Sequence, residues 1–417
     1  MSLDLRTVEE PDVPDWLRAV ATGFHHAGPM APEEVALRRL ALDLERSRGV
    51  YDAGRCVATC RSMPRELTVP GGATLPASAI TNVTVTSTHR RRGLAGRMMA
   101  AELAAARERG EPAAILIAAE YPIYGRFGFG PATWVTGWEV DLPRAALDRR
   151  YAGPDDGGRV DLATLDEVRR SGPALYDRVR TRTPGAVNRL PRWWDMATGE
   201  VVLPSNGPWK EPFQALHRDA DGRIDGLAQW DVGDDEWPGK LPANRATVRQ
   251  LIAATPAAER DLWRLLLSLD WVTRLGSGHR APDDLLPLLL GDPRAARTET
   301  YADHMWARLL DTPAALAART YAGAPTALVL DVQDPSGPAG GRFLLETDAS
   351  GAACCAPTSA APDLTLSAAD LACLYLGDES PVRLAALGRL TEHRAEAART
   401  ADTLFRTPRR PWCPDEF

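Results

Sequence analysis

Arg90-Arg91-Arg92-Gly93-Leu94-Ala95 is the segment with the clearest chemistry in this 417-residue chain. It follows a strand-like stretch, Leu75 to Thr86, in which Ile80, Val83 and Val85 stand among threonines. It precedes a stretch with helical apolar spacing at Leu94, Met98, Ala101 and Ala105. A strand that turns into a helix here aims the helix's free N–H groups and positive dipole end at whatever occupies the turn. Gly93 removes a side chain where backbone approaches a ligand, and Arg90 and Arg91 supply charge-assisted hydrogen bonds. The arrangement fits an anion, and a pyrophosphate in particular. A solvated basic helix start would give the same string. A nucleic-acid patch is a third reading, opposed by the chain's acidic balance and by the lack of interleaved aromatic residues.

The elements that must position this turn are a strand over Leu75 to Thr86, a helix from about Arg92 to Arg109 stopped by Gly110 and Pro112, and a short apolar strand over Ala113 to Ala119. The middle of the chain echoes that unit. Strands are expected at Ile224 to Val232 and Ala246 to Ala254, a helix at Pro256 to Leu269 and a strand at Trp271 to Leu275. Thr255-Pro256-Ala257-Ala258-Glu259 stands where the first copy has its arginines and glycine, so the second copy reads as a scaffold without its site. Strands at Ala327 to Val332, Arg342 to Glu346 and Asp363 to Leu366 follow, then a helix capped by Ser367 with Asp370 and closed at Gly377. Clustered glycine, proline and charge over Asp141 to Gly158 place a boundary near residue 146. The expected units are therefore 1–146, 147–297 and 298–417, in an α/β (α+β) chain.

Composition excludes several classes. Charged residues make up 25% and hydrophobic residues 44%, which suits a globular chain of two or three domains and rules out a fibrous or wholly disordered one. The net charge of -7 opposes nucleic acid and anionic lipid as partners. No run of 18 apolar residues is present and residues 1–14 are polar and acidic, so a cytoplasmic protein is expected, with no classical export signal. Cysteines 56, 60, 354, 355, 373 and 413 lack the spacing of a disulfide framework or metal knuckle, and buried free thiols and no metal are expected. Lys210 and Lys240 are the only lysines, so positive charge is almost wholly arginine, as a GC-rich coding sequence also produces.

Arg90-x-x-Gly93-x-Ala95, directly after Val83-Thr84-Val85, resembles the acetyl-CoA pyrophosphate loop of GNAT acetyltransferases. Together with Ile123-Tyr124-Gly125-Arg126-Phe127-Gly128-Phe129-Gly130-Pro131-Ala132-Thr133, it looks like the enhanced intracellular survival (Eis) acetyltransferases. The resemblance covers the whole chain. It implies two tandem GNAT-like domains, the second degenerate, then a sterol-carrier-protein-like domain, assembled as a homohexamer. It also implies acetyl-CoA as co-substrate, held by main chain at Val83, Thr84 and Val85 and by the turn Arg90, Arg91, Gly93, Leu94 and Ala95.

Acetyl transfer to an amine needs a neutral nitrogen, a stabilised oxyanion and a proton for the departing thiolate. By resemblance Tyr124 is the general acid; a packed tyrosine with a satisfied hydroxyl is the plainer reading. By resemblance, too, the base is the chain's terminal carboxylate on Phe417. The last residues, Arg409 to Phe417, contain two prolines yet carry Trp412 and Phe417, so an ordered, non-helical end is expected, and Phe417 as a mere apolar anchor is the alternative. Glu416 would attract a cationic amine. The loop Phe24-His25-His26-Ala27 carries histidines where the family pattern leads one to expect an acidic residue, and Phe24 and His26 are candidates for the substrate cleft. The implied acceptor is a primary amine of a cationic small molecule such as an aminoglycoside, possible at several positions. Acetylation of protein lysines or N-termini, or lipid binding by the third domain, would be the rival activities.

Overall fold

The computed structural model describes residues 3–151, 157–233, 237–335 and 337–417. Gly153 and Pro154, part of the expected boundary, lie outside the described residues. Three sheets carry the chain. The first has the order Asp4–Thr7, Ser47–Asp52, Arg55–Thr68, Thr74–Val85, Ala113–Ile117, Met305–Leu309, Gly130–Pro131. The second runs Ala296–Asp303, Trp134–Asp141, Val272–Gly276, Asn244–Ala253, Ile224–Val232, Phe213–Arg218, Arg159–Leu162. The third, five-stranded, is built from residues 326–392.

The first two sheets exchange strands. Trp134–Asp141, expected in the first unit, pairs with Val272–Gly276 and Ala296–Asp303 in the second sheet. Met305–Leu309, expected in the third unit, pairs with Ala113–Ile117 and with Gly130–Pro131 in the first sheet. The divisions expected at 146 and 297 thus fall between strands that cross from one sheet to the other. Strand pairing is decided by tertiary contact, and the local apolar pattern of either strand is satisfied in either sheet.

The expected helix at Arg92 begins later, at Leu94, because Gly93 is left-handed at φ 75°, and it runs to Glu108 with Gly110 at φ 75° beyond. Its inward side buries Leu94, Met98, Met99 and Leu103 against Ile80, Ala114 and Leu116. Ser367 caps the helix Ala368–Tyr375, accepting from the Asp370 N–H at 3.0 Å. The core of the third domain is continuous with the opposite face of the first sheet, joining Leu328, Leu330 and Leu366 to Leu75, Ala79 and Ile115. Four cysteines are buried thiols as expected. Cys354 is exposed and Cys355 half-buried, because Ala353–Pro357 is an edge strand.

Candidate active site

Thr74–Val85 runs parallel to Ala113–Ile117 only from the Ala77–Ala113 pair to the Ile80–Leu116 pair. Beyond it the two strands part, and Thr81–Val85 keep Arg55–Thr68 as their one neighbour. The cause is a bulge in which Cys60 alone faces Asn82 and Val83, with Asn82 at φ 52°. Thr59 Oγ1 fixes the bulge: it donates to the Asn82 carbonyl at 2.8 Å and meets Thr84 Oγ1 at 2.7 Å. The Thr84 side chain is thus spent on structure. What the bulge opens is a wedge edged by main chain, suited to an extended, amide-bearing arm.

At the head of the wedge lies the arginine turn. A Cβ on Gly93 would meet nothing within 4 Å, so glycine is required there by its backbone conformation, and the space before the helix is open. No side chain caps Leu94–Glu108, and its first turn carries no acidic residue. The free N–H groups and dipole end are therefore available to an anion. Arg90 and Arg91 are exposed and have no partner among the described residues; Arg91 is itself left-handed at φ 63°. The Leu94 side chain is buried, so only its main chain faces the turn. A residue that the sequence did not single out secures the approach. His89 is buried, with Nδ1 2.8 Å from Thr88 Oγ1 and Nε2 3.0 Å from Asp52 Oδ2. Its signal was a lone histidine after a strand, which carries no chemistry by itself.

Tyr124 ends the short helix Tyr121–Tyr124 that follows the second wedge strand. It shares one core with Leu94, Val83 and Val85, and its ring meets Phe129 edge-on at 6.3 Å. Its hydroxyl has no hydrogen-bond partner in the protein among the described residues. Burial, and then the nearby Cys60 and Glu120, push the phenol up to about 12, so it stays protonated at neutral pH.

The Phe24-His25-His26 loop is exposed and hangs from the helix Val13–Gly23. Gly23 abuts Thr84, which brings the loop to the bulge. Phe417 packs against the same core as Ile117, the last residue of the strand leading to Tyr124. Glu416 is exposed, with Oε1 3.8 Å from His279 Nδ1. His279 lines a cleft of about 340 Å³ walled by Trp193, Trp209, Gln229, Gln250 and Trp412. Its arginines are neutralised: Arg189 by Asp415, Arg249 by Asp231 and Arg280 by Asp284. Among the described residues no cluster of three or more His, Cys, Asp or Glu would hold a metal ion, and no helix is long and apolar enough to cross a membrane.

A strand pair that splays at a bulge, with an uncapped helix at its mouth, defines a GNAT acetyltransferase. Residues 4–132 match a GNAT acetyltransferase domain family, residues 185–310 a second one, and residues 312–414 a sterol carrier protein domain family. The chain belongs to the Eis family of N-acetyltransferases. It is 36% identical over 420 residues to the N-acetyltransferase Eis of Mycobacterium tuberculosis, with 97% of each chain covered. An uncharacterized N-acetyltransferase of Streptomyces griseus is 56% identical over 418 residues, covering both chains fully. Among solved structures, Eis1 from Mycobacterium abscessus superposes with a TM-score of 0.84 at 31% identity over the whole of both chains.

Proposed function

We propose that the chain transfers acetyl from acetyl-CoA to a primary amine of a cationic small molecule, aminoglycosides included, at more than one position where the acceptor offers several. The observation that carries this reading is the open wedge, with an uncapped helix at one end and the unpartnered hydroxyl of Tyr124 in the same core. When bound, the thioester supplies the acetyl group. Main chain at Val83, Thr84 and Val85 orients the arm, and the N–H groups of Leu94 and Ala95 with Arg90 and Arg91 take the pyrophosphate.

Tyr124 donates a hydrogen bond to sulfur as negative charge develops there. With burial pushing the phenol up to about 12, well above a thiol's value of about 8.5, complete proton transfer to the sulfur is uphill. Its contribution therefore comes before the thiolate is fully formed. On the acceptor side, an ammonium of pKa about 10.4 must lose its proton, at a cost of about 4.6 kcal/mol at neutrality. The Phe417 carboxylate takes that proton, acting through water or in a desolvated position, since an ordinary α-carboxyl at about 3.5 is a weak base. Glu416, Phe24 and His26 contact the acceptor. The assembly is a homohexamer.

The aromatic walls of the cleft beside Glu416 favour a second reading, in which the amine is a lysine or N-terminus flanked by apolar side chains. Lipid carriage by the third domain is disfavoured, because its core is continuous with the first sheet. Acetyl-CoA consumption with kanamycin-like amines and with peptides distinguishes the two acceptors. The base is tested by appending a few residues after Phe417: acetyl transfer should collapse while coenzyme A still binds, and unchanged turnover would rule the terminal carboxylate out. Sedimentation of the pure protein checks the hexamer.

A further inference from the structure

The second domain repeats the wedge of the first but not its mouth. Asn244–Ala253 pairs with Val272–Gly276 only as far as the Thr247–Gly276 pair, and it bulges at Arg249, which is the extra residue opposite the Gln229–Trp230 step of its other neighbour. Val248–Ala253 is therefore open on one side, as Thr81–Val85 is in the first domain. At the head of the helix Pro256–Leu267, however, each feature that would hold an anion is cancelled. Thr255 Oγ1 accepts from the Ala258 N–H at 3.1 Å, Pro256 has no N–H to offer, and Glu259 puts a carboxyl in the first turn. Arg280 Nη1 donates to the Leu251 carbonyl at 2.7 Å and so occupies the opened strand.

What lies against this wedge is the chain's own end. Arg409 Nε and the Arg410 N–H both reach Asp283 Oδ2, at 2.8 and 3.0 Å. The Trp412 N–H donates to the Pro184 carbonyl at 2.8 Å, and its ring sits 5.0 Å from the Arg280 guanidinium. A cleft of about 230 Å³ remains between Thr255, Glu259, Arg280 and the tail. Asp415 is buried and accepts from Tyr176 Oη at 2.6 Å and Arg189 Nε at 2.9 Å. Arg189 is gripped in turn, its guanidinium 3.6 Å from the Trp193 ring centre and 3.8 Å from that of Tyr176, with Nη1 donating to Gln250 Oε1 at 3.0 Å. His304 Nε2 adds a contact to the Asp415 carbonyl at 3.3 Å.

We infer that the second domain's wedge is a receptor for residues 409–417, and that Asp415, held by Arg189, is the positioning residue that sets where the Phe417 carboxylate lies. The two residues beyond Asp415 span at most about 7 Å, so this anchor confines the chain's last atoms to a small volume. The positioning role rests on the proposed function of that carboxylate; the docking does not. A displacement of about 1 Å in a reacting group costs about 10²-fold in rate.

The test uses the full chain with Asp415→Asn, and Arg189→Lys as the conservative second variant. Release of Phe417 by a carboxypeptidase, followed by mass spectrometry, should quicken by roughly tenfold or more in D415N. For the same variant kcat should fall by roughly 10- to 100-fold with the KM for acetyl-CoA nearly unchanged, and R189K should be intermediate in both. Unchanged Phe417 release in both variants overturns the docking. Faster release with unchanged kcat overturns the positioning role, and locates the failure in the carboxylate's function instead of the docking. Titration with coenzyme A should give one site per chain, and two would overturn the closed mouth of the second wedge.

Discussion

Gly23 packs against Thr84 so closely that a Cβ on the glycine would stand 2.3 Å from the threonine Cβ. Thr84 cannot yield, because its hydroxyl is locked to Thr59 across the bulge that opens the wedge. One absent methyl group therefore sets the distance between the Phe24-His26 loop and the bulge. Gly23→Ala should destabilise the protein by about 1–3 kcal/mol, the usual cost of overpacking, and raise the KM for acetyl-CoA. Thermal unfolding and steady-state kinetics measure the two effects. A variant of native stability and native KM would show that the loop moves freely.

Tyr124→Phe should lower turnover by roughly 10²-fold with little change in coenzyme A affinity. A loss confined to binding would make the residue a packing element. The raised phenol also has a pH consequence. Because burial lifts it from 10.0 to about 12, no alkaline loss of kcat should arise from this group near pH 10. The sign for stability is the same as for any acid raised by folding: the neutral form is favoured, the contribution is complete below pH 10, and it is lost as pH climbs towards 12. An alkaline limb near 10 that vanishes in the phenylalanine variant would contradict the burial argument.

Glu102 is fully buried on the helix that begins at the arginine turn. Its carboxylate takes Arg109 Nη2 at 2.7 Å, Arg48 Nε at 3.2 Å and Ser78 Oγ at 3.2 Å, tying helix to sheet. Glu102→Leu should cost about 3 kcal/mol, because Arg48 loses its carboxylate partner while Arg109 keeps Glu111 at 3.0 Å. Chemical denaturation measures it, and a cost below about 1 kcal/mol would mean that water relieves Arg48.

How much of this was legible in the sequence depends on the range of the forces involved. The wedge strands, the helix at the turn and the Ser367 cap are local, written in apolar spacing and in single residues such as Gly93 and Gly110. The exchange of Trp134–Asp141 for Met305–Leu309 was not legible, since each strand's pattern suits either sheet. Trp412 and Phe417 announced an ordered tail, but Arg189, which holds it, lies 226 residues from Asp415 and looks like any arginine beside tryptophans. Glu102 shows no sign of burial in the sequence, because Arg48, which pairs with it, lies 54 residues away.

Arg90 and Arg91 stand exposed at the mouth of the wedge without partners among the described residues, so their removal should leave the fold intact and weaken only what they bind. A charge-assisted hydrogen bond contributes about 1.5–3 kcal/mol, so each change to alanine should raise the dissociation constant of coenzyme A by roughly tenfold or more. The loss should shrink for dephosphorylated fragments that retain the pantetheine arm, because those lack the anion. It should also shrink as salt is raised, since exposed charges are screened within about 10 Å at 0.1 M ionic strength. Calorimetry across a salt series separates this from a general weakening. If both alanine variants bind coenzyme A as the native chain does, the pyrophosphate is held by the helix N–H groups without the arginines.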